Sequence, residues 1–409
     1  MKQDGEPTDT HDQLTYTTSW LPYYQLTKDT RILYFIKLWR DRVQDYFRST
    51  DQWFHGYWKE QEVHHGTEHF QLFLATCWSM DPTDPTTQLQ FQDAAEHTFF
   101  TPPSCPEWFN PQTCRFRSMY LGTCNVDESP GTQLNIPDHF RCIHLALLDQ
   151  RMRRCSKIQE HVVAYAQEWA EAVVYGPSIP LGLSTQGAVY SLDDMDLATY
   201  EQFAGELGSL HSDVDRVENI FASGGIEAFL AIWKQTNRFI FLQAAEKLLN
   251  IGIEQLTDPD AAVLIPTVRR YEILTGNEQF TRRILKRFHT TPPERIEQIS
   301  LVPQPKRSKR NSGFGKRTDQ PTWLENGEER TSNPIMEVWQ GQRRGTISRI
   351  IDGLDVARTY FILAQEAFPY GEHGCSAQSV NAICRGHGRD NHAGMVTAAL
   401  APVLEYANI

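Results

Sequence analysis

The sequence predicts an all-α fold built from repeated helical hairpins. Apolar residues recur at three- and four-residue spacing through most of the chain. Clusters of Pro, Gly, Asn and Asp divide those runs into pairs, and few segments alternate as strands do. Each amphipathic pair must bury one stripe against its neighbours, so the pairs must also pack together.

Residues 1–30 are polar and begin irregularly. Leu33, Phe35, Ile36, Trp39, Val43, Tyr46 and Phe47 then fall on one helical face. Trp53, Phe54, Tyr57 and Trp58 follow, as core or as a stacking platform for sugar rings; their exposure decides which. The first hairpin covers 62–100. Its head is His64-His65-Gly66-Thr67-Glu68-His69-Phe70, and an apolar run continues to residue 78. Asp81-Pro82-Thr83-Asp84-Pro85 turns the chain into a second arm at 89–100. A Pro- and Cys-bearing loop fills 101–125. Asn135-Ile136-Pro137-Asp138-His139-Phe140-Arg141 opens the second hairpin, with Pro137 at the first helical position and Ile136 or Asn135 near the cap. Its second arm spans 155–174.

A turn-rich break at 177–187 and a shorter helical pattern at 192–207 come next. The third hairpin runs over 214–234, interrupted by Gly224-Gly225, and returns over 238–249. The fourth joins 261–274 to 279–288 through Thr275-Gly276-Asn277-Glu278. Residues 303–333 are basic and rich in helix breakers, the mark of a long loop insertion over an acidic ligand or into solvent. Helical periodicity resumes at 346–368, and a last helix ends at 406.

Hairpins of this kind assemble as an open solenoid or as a closed ring. A solenoid would show a fixed short period, whereas the unit lengths here vary. The expectation is therefore an α/α toroid, an incomplete double ring of helical hairpins forming one domain over 1–409. In such a ring the inner-helix starts converge on one mouth. The first arms begin at His64-His65, Asn135 to Arg141, Asn219, Pro266 and Asn391-His392, so their polar groups would line a single pocket.

Composition limits the functions available. The net charge of −12 disfavours a nucleic-acid partner, whose binding face is basic. It leaves room for an anionic ligand in a local cationic pocket. No apolar run reaches the length of a membrane span, and residues 1–6 carry no apolar signal region. The expectation is a cytoplasmic protein, or a periplasmic or secreted one if a leader has been removed. Eight cysteines are too few for a disulfide scaffold in 409 residues, and none has the tight spacing of a structural zinc site.

Gly66-Thr67-Glu68-His69, Asn135-Ile136-Pro137-Asp138-His139-Phe140-Arg141, Arg269-Arg270-Tyr271-Glu272 and Arg389-Asp390-Asn391-His392 are the motifs of interest. With the hairpin pattern, they make the chain resemble the α/α-toroid polysaccharide lyases that act on uronic-acid glycans such as glucuronan or alginate. The resemblance implies β-elimination, with a tyrosine and a nearby histidine moving protons and an asparagine, arginine or acidic residue facing the uronate. It implies an acidic polysaccharide or oligosaccharide as the partner.

That chemistry needs a base for the C5 proton, an acid for the leaving O4 and a neutraliser for the carboxylate. Tyr271 is the leading tyrosine, with Tyr360 and Tyr370 as rivals, and His139 or His65 would polarise it. Arg141, Arg270 and Asn391 are candidates for the carboxylate; His392 and Glu68 would hold partners in orientation. No cofactor is required. His65 and His69 have zinc-ligand spacing without the His-Glu-x-x-His order, so a divalent metal is a second option whose ligands stay open. Two other readings stand beside the lyase. One is a toroid glycoside hydrolase drawing a carboxylate pair from Glu68, Asp138 and Glu227. The other is a non-catalytic helical carbohydrate-binding or scaffold protein. The sequence leaves oligomeric state open.

Overall fold

Helix starts are where this sequence acts most directly. In the computed structural model, which describes residues 20–68, 74–100, 108–153, 156–195, 213–255, 264–287, 334–351 and 354, most of the chain is helical. The described residues form two compact units. One comprises residues between 27 and 247, the other residues 20–26 together with those from 248 onward.

In the first unit, Asp29 caps helix α2 (Thr30–Ser49), which follows the short α1 (Trp20–Thr27), by accepting from the Arg31 amide at 3.0 Å. Ile36, Trp39, Val43 and Phe47 are its buried stripe, at the predicted spacing. Arg40 shares that stripe and is 2% exposed. Its guanidinium pairs with Asp84 and donates to Thr87 Oγ1 at 2.7 Å. After α3 (Val63–Glu68) and α4 (Ala75–Met80), Asp84 caps α5 (Pro85–Phe99) through the Thr87 amide at 2.8 Å. Lys37 adds a second cation, 3.0 Å from Asp84 Oδ1. Burial alone would raise the Asp84 carboxyl; the Thr87 amide, Lys37, the Thr87 hydroxyl and Arg40 outweigh it and hold it at about 2. One carboxylate thus caps one helix and ties it to another. The helix begins at Pro85, earlier than the apolar pattern indicates, because the cap sets the start.

Short antiparallel pairs form corners between helices. In β1 (Trp53–Phe54) and β2 (Tyr57–Trp58), His55 and Gly56 both have positive φ, as a two-residue hairpin of this twist requires. β3 (Gln61–Glu62) pairs with β6 (Tyr120–Leu121), and β4 (Phe109–Asn110) with β5 (Arg115–Phe116). Tyr57 is fully buried, with its hydroxyl bonded to Thr98, so it belongs to the core, while Trp53, Phe54 and Trp58 are half-buried.

The central hairpin is α6 (Phe140–Arg153) and α7 (Ser156–Tyr175). Phe140 packs edge-on against Phe229 at 5.3 Å and tilts against Trp169 at 5.4 Å. The break after α7 holds the pair β7 (Gly182–Ser184) and β8 (Gly187–Val189). Of the pattern expected at 192–207, the 3-10 turn Leu192–Asp194 is described, and residues 196–212 lie outside the described ones. The third hairpin's first arm is two helices, α8 (Asp213–Ala222) and α9 (Gly225–Thr236). Gly224 parts them at φ +76°, where a Cβ would strike the His144 ring. Asn237, also left-handed, turns α9 into α10 (Phe239–Gln255).

In the second unit, α11 (Ile265–Thr275) ends at Gly276 (φ +71°), whose amide returns to the Glu272 carbonyl at 2.8 Å. Asn277 Oδ1 then accepts the Gln279 amide at 2.9 Å and opens α12 (Gln279–Arg287). Arg343 of α13 (Pro334–Arg344) pairs with Glu272 of α11. Among the described residues no helix is long and apolar enough to cross a membrane.

Candidate functional site

The segment from Asn135 to Arg141 is a densely bonded polar stretch of the first unit. Asn135 uses its carboxamide as a strand would use its backbone. Oδ1 accepts the Phe116 amide at 2.9 Å and Nδ2 donates to the Phe116 carbonyl at 2.8 Å. Its own amide and carbonyl pair with Leu183 at 2.7 and 2.9 Å. It therefore clips β5 and β7 together at the head of α6. Ile136 is extended and Pro137 starts a 3-10 turn, Pro137–His139, that runs into α6. The helix expected from Pro137 thus begins with a tighter turn.

His139 folds back on that turn. Its Nδ1 is 3.1 Å from the Ile136 amide and its Nε2 is 3.2 Å from the Ser118 carbonyl. A neutral ring protonated on Nε2 satisfies both contacts, accepting at Nδ1 and donating at Nε2. The residue is fully buried. Burial pushes its pKa down to about 4, against the opposing pull of the Ser118 and Ile136 backbone and of Asp138.

Asp138 faces the other way. Its Oδ1 accepts from Ser223 Oγ at 2.7 Å and lies 3.5 Å from Arg141 Nε. Asp138, Arg141, Ser223 and Asn219 are all buried. Ser223 Oγ is also 2.9 Å from the Asn219 carbonyl, one helical turn back on α8. The Asn219 side chain, on the same face as Ser223, makes no hydrogen bond to any described residue. The residue is 7% exposed, and its carboxamide is not among the sealed, unbonded polar groups of the described residues, so it meets solvent and is open to a ligand.

α3 packs against the 137–139 turn, α6, β2 and β6. Two motifs some seventy residues apart in sequence, Gly66-Thr67-Glu68 and Asp138-His139-Phe140-Arg141, are thereby neighbours. His65 and Glu68 lie on α3, and Gly66 and Thr67 are buried there. Ser223 is the contributor the sequence reading passed over. Its signal was the Ser-Gly-Gly break, which exposes the end of α8 to the 137–139 turn.

In the second unit Arg270 is exposed on α11, and Tyr271 is 1% exposed. The Tyr271 hydroxyl accepts from Gln279 Nε2 at 2.7 Å and from Asn277 Nδ2 at 3.3 Å, and its ring meets Phe280 edge-on at 4.8 Å. It therefore ties the α11–α12 corner. His69, Tyr360, Tyr370, Asn391, His392 and the basic loop at 303–333 lie outside the described residues. Among the described residues no three His, Cys, Asp or Glu side chains are grouped to hold a metal ion. Comparison of the chain with protein families, curated proteins and solved structures finds no match.

Proposed function

We propose that this chain is a polysaccharide lyase that cleaves uronate glycans by β-elimination, built on an incomplete α/α toroid. One juxtaposition supports the reading above all. The head of the first hairpin, carrying His65 and Glu68, packs beside the Asp138–Arg141 turn, which also meets α8, the helix of Asn219 and Ser223. Histidine, a buried guanidinium and an asparagine are the residue types this elimination needs.

In this proposal Asn219 donates to the uronate carboxylate, and Arg141 contributes positive charge behind it. His65 takes the C5 proton. The C5–H pair becomes the C4=C5 double bond as the C4–O4 bond breaks, and O4 leaves with a proton from an acid at the same mouth. His139, with both ring nitrogens already engaged, positions the turn. The Tyr271 hydroxyl is likewise engaged, at the α11–α12 corner of the second unit.

Incubation with glucuronan, alginate and glycosaminoglycans tests the class. Elimination yields an unsaturated uronate that absorbs in the near ultraviolet. New reducing ends without that absorbance would replace the lyase by a hydrolase. Asn219→Ala removes no bond seen within the fold. It should lower kcat/KM by about 10²-fold with the far-ultraviolet spectrum unchanged. Full turnover in that variant would take Asn219 and the turn beside it out of the reaction.

A further inference from the structure

A second feature of the first unit uses none of those residues. Gln167, Glu171 and Tyr175 stand four apart on one face of α7. Opposite them the chain leaves α9 at the left-handed Asn237, Arg238 follows, and Phe239 and Ile240 begin α10 at that corner. These six residues line an open depression of about 540 Å³. A proton-ordered row crosses it. Arg238 Nη1 donates to Gln167 Oε1 at 2.7 Å, and Gln167 Nε2 donates to Glu171 Oε1 at 2.8 Å. The row begins in a guanidinium with further N–H groups and ends in a carboxylate with a second oxygen. Tyr175 and Phe239 are 74% and 59% exposed. They are two of the seven large hydrophobic side chains exposed among the described residues, and both border this one depression.

We propose that this depression is a glycan-binding subsite separate from the cluster around Asp138 and Asn219. The chemistry selects the ligand. A sugar hydroxyl both donates and accepts, so adjacent hydroxyls can take a proton-accepting contact at Arg238 and a proton-donating one at Glu171. The C–H faces of the same sugar are apolar and suit the two exposed rings. Arg238 and Glu171 cancel in charge, so recognition rests on hydroxyls and ring faces rather than on polyanion attraction. Six residues line the depression, fewer than a folded protein partner would cover. The subsite rests on the lyase reading only for the identity of the polymer; it would hold the polymer while the proposed reaction site acts on it.

Affinity electrophoresis of the full chain tests this directly. Native gels would contain glucuronan, alginate or, as a neutral probe, hydroxyethylcellulose. The wild type should be retarded by at least one of them. Tyr175→Ala combined with Phe239→Ala should weaken that association about tenfold or more. Arg238→Gln, which breaks the row while leaving both rings, should weaken it less. All three side chains are exposed, so urea midpoints should not move, and His65, Arg141 and Asn219 are untouched, so turnover of short oligosaccharides should be unchanged. Absence of retardation in every gel, or retardation of the double variant equal to wild type, overturns the subsite. Retardation that depends on Tyr175 and Phe239 without any unsaturated product sustains the subsite and overturns the lyase reading instead.

Discussion

Two polar clusters that look alike in sequence have opposite fates in the two units. Asp138-His139-Phe140-Arg141 lies at a helix start, and every one of its members is buried. Arg269-Arg270-Tyr271-Glu272 lies inside α11, where the helix distributes its residues around the axis. Arg270 is exposed, Tyr271 is buried, and Glu272 bonds Thr281 at 2.8 Å. At a helix start, free backbone groups and a change of direction let consecutive side chains turn inward together. Inside a helix, adjacent residues diverge by about 100°, so a run of polar residues cannot face one site. The position of a polar cluster relative to a helix end therefore says more about a site than its composition does.

The sharpest way to break this contrast is to remove the carboxylate of the buried cluster. Asp138→Ala takes the acceptor from Ser223 and the nearby countercharge from Arg141. We expect a loss of about 3–5 kcal/mol, read as a lower urea midpoint. A loss under about 1 kcal/mol would mean that the cluster is solvated and that its burial is not what organises it.

The second test uses pH. His139 has a folded pKa of about 4, and so does His97, which burial and the neighbouring His55 lower. An unfolded histidine titrates near 6.5, so between about 6.5 and 4 the unfolded chain binds more protons than the folded one. Stability is therefore full above about pH 6.5 and falls as pH drops toward 4, by about 3 kcal/mol for each ring. Below that range Asp84 takes over. Its folded value of about 2 lies under the ordinary 3.8, so its contribution is lost between those values. His139→Gln should flatten the upper part of the profile. An unchanged slope between pH 4 and 6.5 would show that His139 is charged in the folded protein.

The smallest effect belongs to the other cluster. Tyr271→Phe keeps the ring on Phe280 and removes an acceptor shared by Gln279 and Asn277. A loss of about 1 kcal/mol with unchanged turnover is expected. A fall in kcat of about 10²-fold or more, at unchanged stability, would return Tyr271 to the chemistry.

Much of the helical layout was legible because it depends on neighbours in sequence. The buried stripe of α2, the arm at 156–175, the Gly224 break and the corner at Thr275-Gly276-Asn277 follow from apolar spacing, capping and left-handed positions. The short strands were not legible. Pairs such as Gln61–Glu62 with Tyr120–Leu121 join segments far apart in sequence and are too brief to alternate. The candidate site divides the same way. Its residue types, and the placement of His65 and of Asn135 to Arg141 at helix starts, could be read from the chain, whereas Asn219, expected at a start, lies inside α8. Only the tertiary structure set Ser223 against Asp138, closed both ring nitrogens of His139 and left the Asn219 carboxamide without a partner among the described residues. Spacing along a helix fixes which side chains share a face. Whether a polar group on that face meets water, a backbone group or a ligand depends on segments brought to it from elsewhere in the chain, and those decide its charge and its availability.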